Sequence, residues 1–227
     1  MRNKKYLIIA IAIIACAILG ILIAVYTSGS KTKNNNTQQE FYNGLPIMKT
    51  ETMLMYDTST PEKAIGASDY VFVAKVNQIL RTEYKNYVTR EVGLFQKETV
   101  GTPYTIYSID VIKNIKGELI TTEPIEFMQC GGINEDGKSY TFINGSRLLE
   151  AGKYYLIMAE TWGGDGGMIE MAESNRIIEL EENVNNITAN ETNLIELYEE
   201  AYKNQIVPTD DEGNQRTSYK SKYDVNY

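Results

Sequence analysis

The stretch Thr102–Cys130, TPYTIYSIDVIKNIKGELITTEPIEFMQC, constrains the fold more than any other. Tyr107, Ile109 and Val111 alternate with Ser108 and Asp110, the period-2 pattern of a strand with one buried face. The apolar face continues to Ile115 and stops at Lys116-Gly117; after a short turn, Ile125–Cys130 reads as a second strand. A long strand ending in Lys-Gly and followed by a short one looks like the middle of a small β-barrel. Upstream, Asp69–Leu80 (DYVFVAKVNQIL) is almost continuously apolar, which predicts a central strand covered on both faces.

The remaining elements fall around these three. Thr60-Pro61-Glu62 is a helix start, with a Thr cap, Pro in the first turn and an acid at the positive end of the dipole. That helix is expected to run to about Ser68, with Ala64, Ile65 and Ser68 inward. Arg81–Gly101 is polar and charged and predicts a long hairpin excursion. Tyr140–Ile143, Lys153–Ala159, Met168–Glu173 and Arg176–Leu180 are further strands, and Gly163–Gly167 is a glycine-rich turn between two of them. Leu194, Leu197, Tyr198, Ala201 and Tyr202 form one stripe of an amphipathic helix over Glu191–Asn204, capped by Asn190. Leu45–Asp57 carries enough Met and Leu to pack on the domain as an extended segment. Gln205–Tyr227 has few aliphatic residues and many charges, the composition of a disordered tail. The expected fold is therefore mainly β, in the α+β sense, with one domain over 45–204.

The N-terminal end imposes a location. Tyr6–Tyr26, YLIIAIAIIACAILGILIAVY, is 21 residues without charge or proline. As a helix it spans roughly 30 Å, the thickness of a bilayer's hydrocarbon core. Arg2, Lys4 and Lys5 precede it, which predicts a single-pass signal anchor over 1–26 with the N-terminus cytoplasmic. Two alternatives remain: cleavage as a signal peptide, which Tyr26 disfavours, and lipidation at Cys16, where Ile13-Ile14-Ala15-Cys16 has the form of a lipobox. All three place the rest of the chain outside the cytoplasm. Residues 27–44 are polar and rich in Asn, Thr, Ser and Lys, and read as a flexible tether.

Charge and residue inventory exclude several classes of function. The chain has 22 basic and 30 acidic residues; without the three basic residues that precede the apolar run, the remainder carries −11. That sign argues against nucleic-acid binding, which needs a basic face. There is no histidine, so no His-based triad, no Cys-His pair and no His metal ligand exists. Cys130, in Cys130-Gly131-Gly132, is the most reactive-looking side chain, but a thiolate nucleophile needs a base or cation, and only Lys138 or Arg147 is at hand. The simpler expectation is a buried thiol at a strand end. Asn134-Glu135-Asp136-Gly137 and Asp210-Asp211-Glu212-Gly213 lack the acid that would open a calcium loop. No metal ligand set and no cofactor is expected. The 17 tyrosines offer an aromatic binding face instead, and Tyr84, Tyr87 and Tyr104, which flank the long excursion, are the candidates for it.

Several pieces in order resemble the netrin-like module of the tissue inhibitors of metalloproteinases. They are Ala67-Ser68-Asp69-Tyr70-Val71-Phe72-Val73-Ala74-Lys75-Val76, Tyr107-x-Ile109-x-Val111-x-Lys113-x-Ile115-Lys116-Gly117, Ile125-x-Phe127, Cys130-Gly131 and Gly152-Lys153-Tyr154-Tyr155-Leu156-Ile157. The resemblance covers roughly Ala67–Met171. It implies a five-stranded Greek-key barrel of the oligonucleotide/oligosaccharide-binding (OB) type, flanked here by the short helix and the C-terminal amphipathic helix. The family's inhibitors chelate a protease's zinc through a free N-terminal cysteine. This chain has no cysteine at that end of the domain, and only Cys130 has a counterpart, so zinc chelation does not carry over. The expectation is a membrane-anchored extracytoplasmic binding module of bacterial type without catalytic activity. Its partner would be an extracytoplasmic protein or a cell-wall polymer. A lipid-anchored or secreted inhibitor or escort of a surface enzyme is the second reading, and a thiol enzyme using Cys130 the third.

Overall fold

The computed structural model describes residues 42–53, 55–93, 96–162, 166–170, 176–180 and 189–227. The chain divides into two units, 1–46 and 47–227. The described part of the first is a turn in which the Leu45 N–H donates to the Tyr42 carbonyl at 3.0 Å. Tyr6–Tyr26, Cys16 and most of the expected tether lie outside the described residues. No described helix is long and apolar enough to cross a membrane.

The second unit is mainly β, as its alternating patterns require. Its strands are β1 (Ile47–Thr50), β2 (Tyr70–Gly93), β3 (Gln96–Lys116), β4 (Ile125–Cys130), β5 (Gly132–Ile133), β6 (Tyr140–Ile143), β7 (Tyr154–Trp162), β8 (Gly167–Glu170) and β9 (Ile177–Leu180). Two helices accompany them among the described residues, α1 (Pro61–Gly66) and α2 (Ala189–Lys203). One sheet has the order β1-β6-β5, the other β2-β3-β4-β8-β7-β9. In the larger sheet β7 also pairs with β2, over Tyr70–Lys75, so the order β2-β3-β4-β8-β7 returns to its first strand. The expected closed barrel is not completed: β4 and β8 share one parallel pair, Met128↔Ile169, where closure needs a ladder.

β2 is central and covered on both faces over Tyr70–Val76; Ile79 and Leu80, expected within the same covered stretch, are exposed because β7 pairs with β2 only as far as Lys75. On one face Phe72, Ala74 and Val76 lie in register with Val111 and Ile109 of β3 and with Ile157 and Tyr155 of β7. Tyr107 and Ile109 in turn pair with Phe127 and Ile125 of β4, and all of these are buried. On the other face Val71, Val73, Leu156 and Met158 carry the helices, in one apolar cluster with Ala64 and Ile65 of α1 and Ile195, Tyr198 and Ala201 of α2. Each large aliphatic buried this way contributes about 1.5–3 kcal/mol.

The helices follow local sequence only in part. In α1 the Thr60 Oγ1 accepts from the Lys63 N–H at 3.4 Å, with Pro61 at the first position, so the predicted cap is made. α2 starts at Ala189, so Asn190 lies inside it rather than at its cap. Of the expected stripe, Tyr198 and Ala201 are buried with Ile195 and Leu194 packs against them, while Leu197 and Tyr202 are exposed. The face turned inward is set by the narrow contact with α1 and the sheet, which takes fewer side chains than the sequence offers. The Met-rich segment also departs from expectation. β1 is bound through its backbone to β6, in parallel, and Met48, Met53 and Met55 stay exposed.

The largest correction concerns Gln205–Tyr227. Composition predicts a disordered tail, yet the segment is laid along the second unit. Ser221 is buried, and the Ile120 N–H donates to the Tyr223 carbonyl at 2.9 Å. Gly117, where β3 ends, has φ +84°, and a Cβ there would stand 2.3 Å from Tyr70 Cδ1. The Lys-Gly break therefore leaves room for the Tyr70 ring, whose hydroxyl donates to Asp224 (2.6 Å) and accepts from the Ser221 N–H (2.7 Å).

Candidate binding site

The long excursion is a two-stranded ribbon formed by the outer halves of β2 and β3. β7 pairs with β2 only up to Lys75, and β4 pairs with β3 only from Thr105 on. Beyond these points the partners are mutual, from Tyr84↔Pro103 and Lys85↔Thr102 through Val88↔Val100 to Gly93↔Gln96. The register slips between Lys85 and Val88, and Asn86 there has φ +51°. Asn tolerates this left-handed conformation better than most residues. The slip turns Tyr87 back over the ribbon. A Cβ on Gly101 would lie 2.9 Å from both Tyr84 Cβ and Tyr87 Cε1, so the absence of a side chain at Gly101 lets the two tyrosines converge. The Tyr84 hydroxyl donates to the Ile133 carbonyl at 3.2 Å, while Tyr87 is 55% exposed and Val88 63%.

Tyr104 is not part of that face. Gly101 and Pro103 share one side of β3, whereas Thr102 and Tyr104 point to the other. Tyr104 is buried with Ile106, Met128, Cys130 and Ile143. Its hydroxyl accepts from Asn86 Nδ2 at 2.9 Å, and Lys85 Nζ sits 5.9 Å from its ring centroid. Burial, reinforced by the neighbouring Cys130, pushes its pKa up to about 12. Of the three tyrosines, two are brought together and one is placed in the core behind them. Cys130 is buried, and Arg147, one of its two possible activators, is bonded instead to Glu179 at 2.7 Å.

A second feature escaped sequence reading. Asp69, at the start of β2, accepts from Arg216 Nη1 at 2.7 Å, from the Thr161 N–H at 2.8 Å and from the Tyr219 N–H at 3.3 Å. Glu160 on β7 accepts from Arg176 Nη2 at 2.7 Å and faces Arg216 Nη2 at 3.3 Å. Two carboxylates and two guanidiniums thus neutralise one another in a nearly dry site. Burial raises the Glu160 pKa, against the pull of both arginines. Lys116 nearby donates to the Ile65 carbonyl and to Gln205 Oε1, both at 2.8 Å; burial first, then Arg216, lowers its pKa to about 8. Above Glu160 and Arg216 opens a cleft of about 350 Å³, walled by Tyr56, Tyr219 and the turn that Thr209 and Gln215 close. Asp69 and Arg216 stand 147 residues apart, and no local pattern could have joined them. Among the described residues no group of three Cys, Asp or Glu side chains is arranged to hold a metal ion. No protein-family model matches this chain, and no curated protein matches it either.

Proposed function

We propose that the chain is a single-pass membrane protein whose second unit is an OB-like, netrin-like module displayed outside the cell, where it binds a partner without catalysing a reaction. The Tyr6–Tyr26 run is its anchor and the following polar residues its tether. The strand order β2-β3-β4-β8-β7, with β7 beside β2 and a parallel β4–β8 contact, supports the OB-like reading. The binding element is the ribbon.

One observation carries this reading. The outer ribbon, Val88–Gly93 against Gln96–Val100, pairs only with itself among the described residues and presents Tyr87 and Val88 to solvent. A two-stranded ribbon alone is marginal in water. A partner seated on the Tyr84–Tyr87 face would cover apolar surface that the domain leaves open. The partner is an extracytoplasmic protein or a wall polymer. The test replaces Tyr87 with a photo-cross-linking residue in the full-length chain on intact cells. A discrete adduct, lost when Val88 becomes Asp, is the expected result. No adduct at position 87, or one that also forms from a buried control position such as 198, would overturn the reading.

A further inference from the structure

We propose that the cleft above Glu160 and Arg216 is a second binding site, specific for a neutral polyhydroxyl ligand, one or two sugar residues of a glycan. The inference rests on reading the unit as a displayed binding module, and it is argued from what the cleft has left to offer.

An anionic ligand needs an uncommitted cation. Among the described residues Arg216 is the only Lys or Arg lining the cleft, and it is spent on Asp69 and Glu160. A cationic ligand needs a free carboxylate. Glu160 is held between Arg176 and Arg216, and the exposed Asp210 keeps its charge but has both oxygens turned into its own turn, accepting from the Asn214 side chain and from the N–H groups of Glu212 and Asn214. An apolar ligand needs aliphatic walls, and among the lining residues only Pro208 lacks a polar side-chain group. What remains uncommitted is neutral. The side chains of Thr209, Gln215 and Thr217 make no hydrogen bond among the described residues and supply hydroxyl and amide groups that both donate and accept. Tyr56 and Tyr219 add two aromatic rings to the wall, and Tyr219 is 61% exposed. Rings that cover C–H faces, with short neutral donors and acceptors between them, match the two sides of a pyranose. A volume of about 350 Å³ suits one or two such rings and lies at the small end of ligand pockets. The floor does not need to move to accept a ligand, because its charges are already paired.

The cleft and the ribbon face involve different residues, so each can fail without the other. The test is saturation-transfer difference NMR on the full-length chain in dodecylphosphocholine micelles, which carry no sugar. The probes are N,N′-diacetylchitobiose, cellobiose and maltose, all neutral, with acetate and ethylamine as charged controls. At least one disaccharide is expected to show transfer and the two controls none. Tyr219→Ala should weaken that binding about tenfold, the effect of losing one aromatic contact. Thr217→Trp, which fills the cleft from an exposed position, should abolish it, and Tyr87→Ala on the ribbon should leave it unchanged. Transfer to no disaccharide, equal transfer to acetate or ethylamine, or binding that survives Thr217→Trp would overturn the proposal.

Discussion

Arg216→Met tests how the C-terminal segment is held. Arg216 Nη1 lies 2.7 Å from Asp69 Oδ1, with side chains 8% and 1% exposed. Opposite unit charges about 4 Å apart attract by about 4 kcal/mol at the effective dielectric of ~20 that suits protein sites. Methionine keeps much of the stem's volume and removes the charge, which leaves Asp69 without its ion-pair partner and Glu160 with Arg176 alone. Removing one partner of a buried pair costs about 3–5 kcal/mol, a large share of the ~5–15 kcal/mol that holds a domain together. The other contacts of the segment are polar rather than apolar: Tyr219, Val225 and Tyr227 are exposed, and hydrogen bonds join Tyr70 to Ser221 and Asp224, Gly166 to Ser221 and Lys222, and Glu118 and Ile120 to Val225 and Tyr223. The loss should therefore appear first as local opening of residues 216–225, with the strands still closed. Hydrogen exchange of the intact chain should quicken by about two decades in peptides from 216–225, following a loss of ~3 kcal/mol, and change little in 104–111. The double variant Asp69→Asn, Arg216→Met should be less impaired than the sum of the two single changes, because it removes the orphaned charge. Exchange at 216–225 within fivefold of the parent, or strict additivity in the double variant, would refute the reasoning.

Three further outcomes can be checked on the same protein. Tyr107→Phe removes the hydroxyl that donates to Gln129 Oε1 at 2.7 Å and accepts from the Leu149 N–H at 3.2 Å. With both partners left buried, thermal unfolding should show a loss of about 1–3 kcal/mol, and a loss below 0.5 kcal/mol would mean that water or a shifted loop replaces the hydroxyl. Stability should peak on the alkaline side. The folded Lys116 releases its proton near pH 8, below its unfolded value of 10.5, so the unfolded chain binds more protons between these values and stability rises across them. Above about pH 10 the unfolded tyrosines ionise while Tyr70 and Tyr104, raised mainly by burial, stay neutral, so stability falls again. Lys116→Met should flatten the rise in a melting-temperature profile from pH 7 to 11. Finally, buried Cys130 should resist a membrane-impermeant maleimide in the native protein and react after denaturation; rapid native labelling would revive a reactive thiol.

Why some features were legible and others not can be read from particular residues. The Tyr70–Ala74 core, the Tyr107–Val111 alternation and the Thr60-Pro61 cap are local codes, in which the burial or bond in question is set within a few positions. Tyr84 and Tyr87 were marked by their place on the excursion, but only the register slip at Asn86 and the bare backbone of Gly101 made them neighbours. Tyr104 falls in the core and not on the ribbon face because alternation along β3 gives its parity, not which side has a core behind it. The α2 stripe keeps Leu194, Tyr198 and Ala201 but gains Ile195 and loses Leu197 and Tyr202 for the same reason, since the sheet and α1 choose which of several apolar residues they accept.

The amino-acid order by itself determined the strand-rich class, the central place of β2, the apolar run Tyr6–Tyr26 and the absence of histidine chemistry, since periodicity and composition are properties of neighbouring residues. The fold alone decided the fate of Gln205–Tyr227. That segment has almost no aliphatic side chains to announce burial, and it is held by charges and hydroxyls whose partners Asp69 and Tyr70 lie some 150 residues earlier. Paired charges leave no periodic trace in the chain, because their attraction depends on distance in space and not on separation along the backbone.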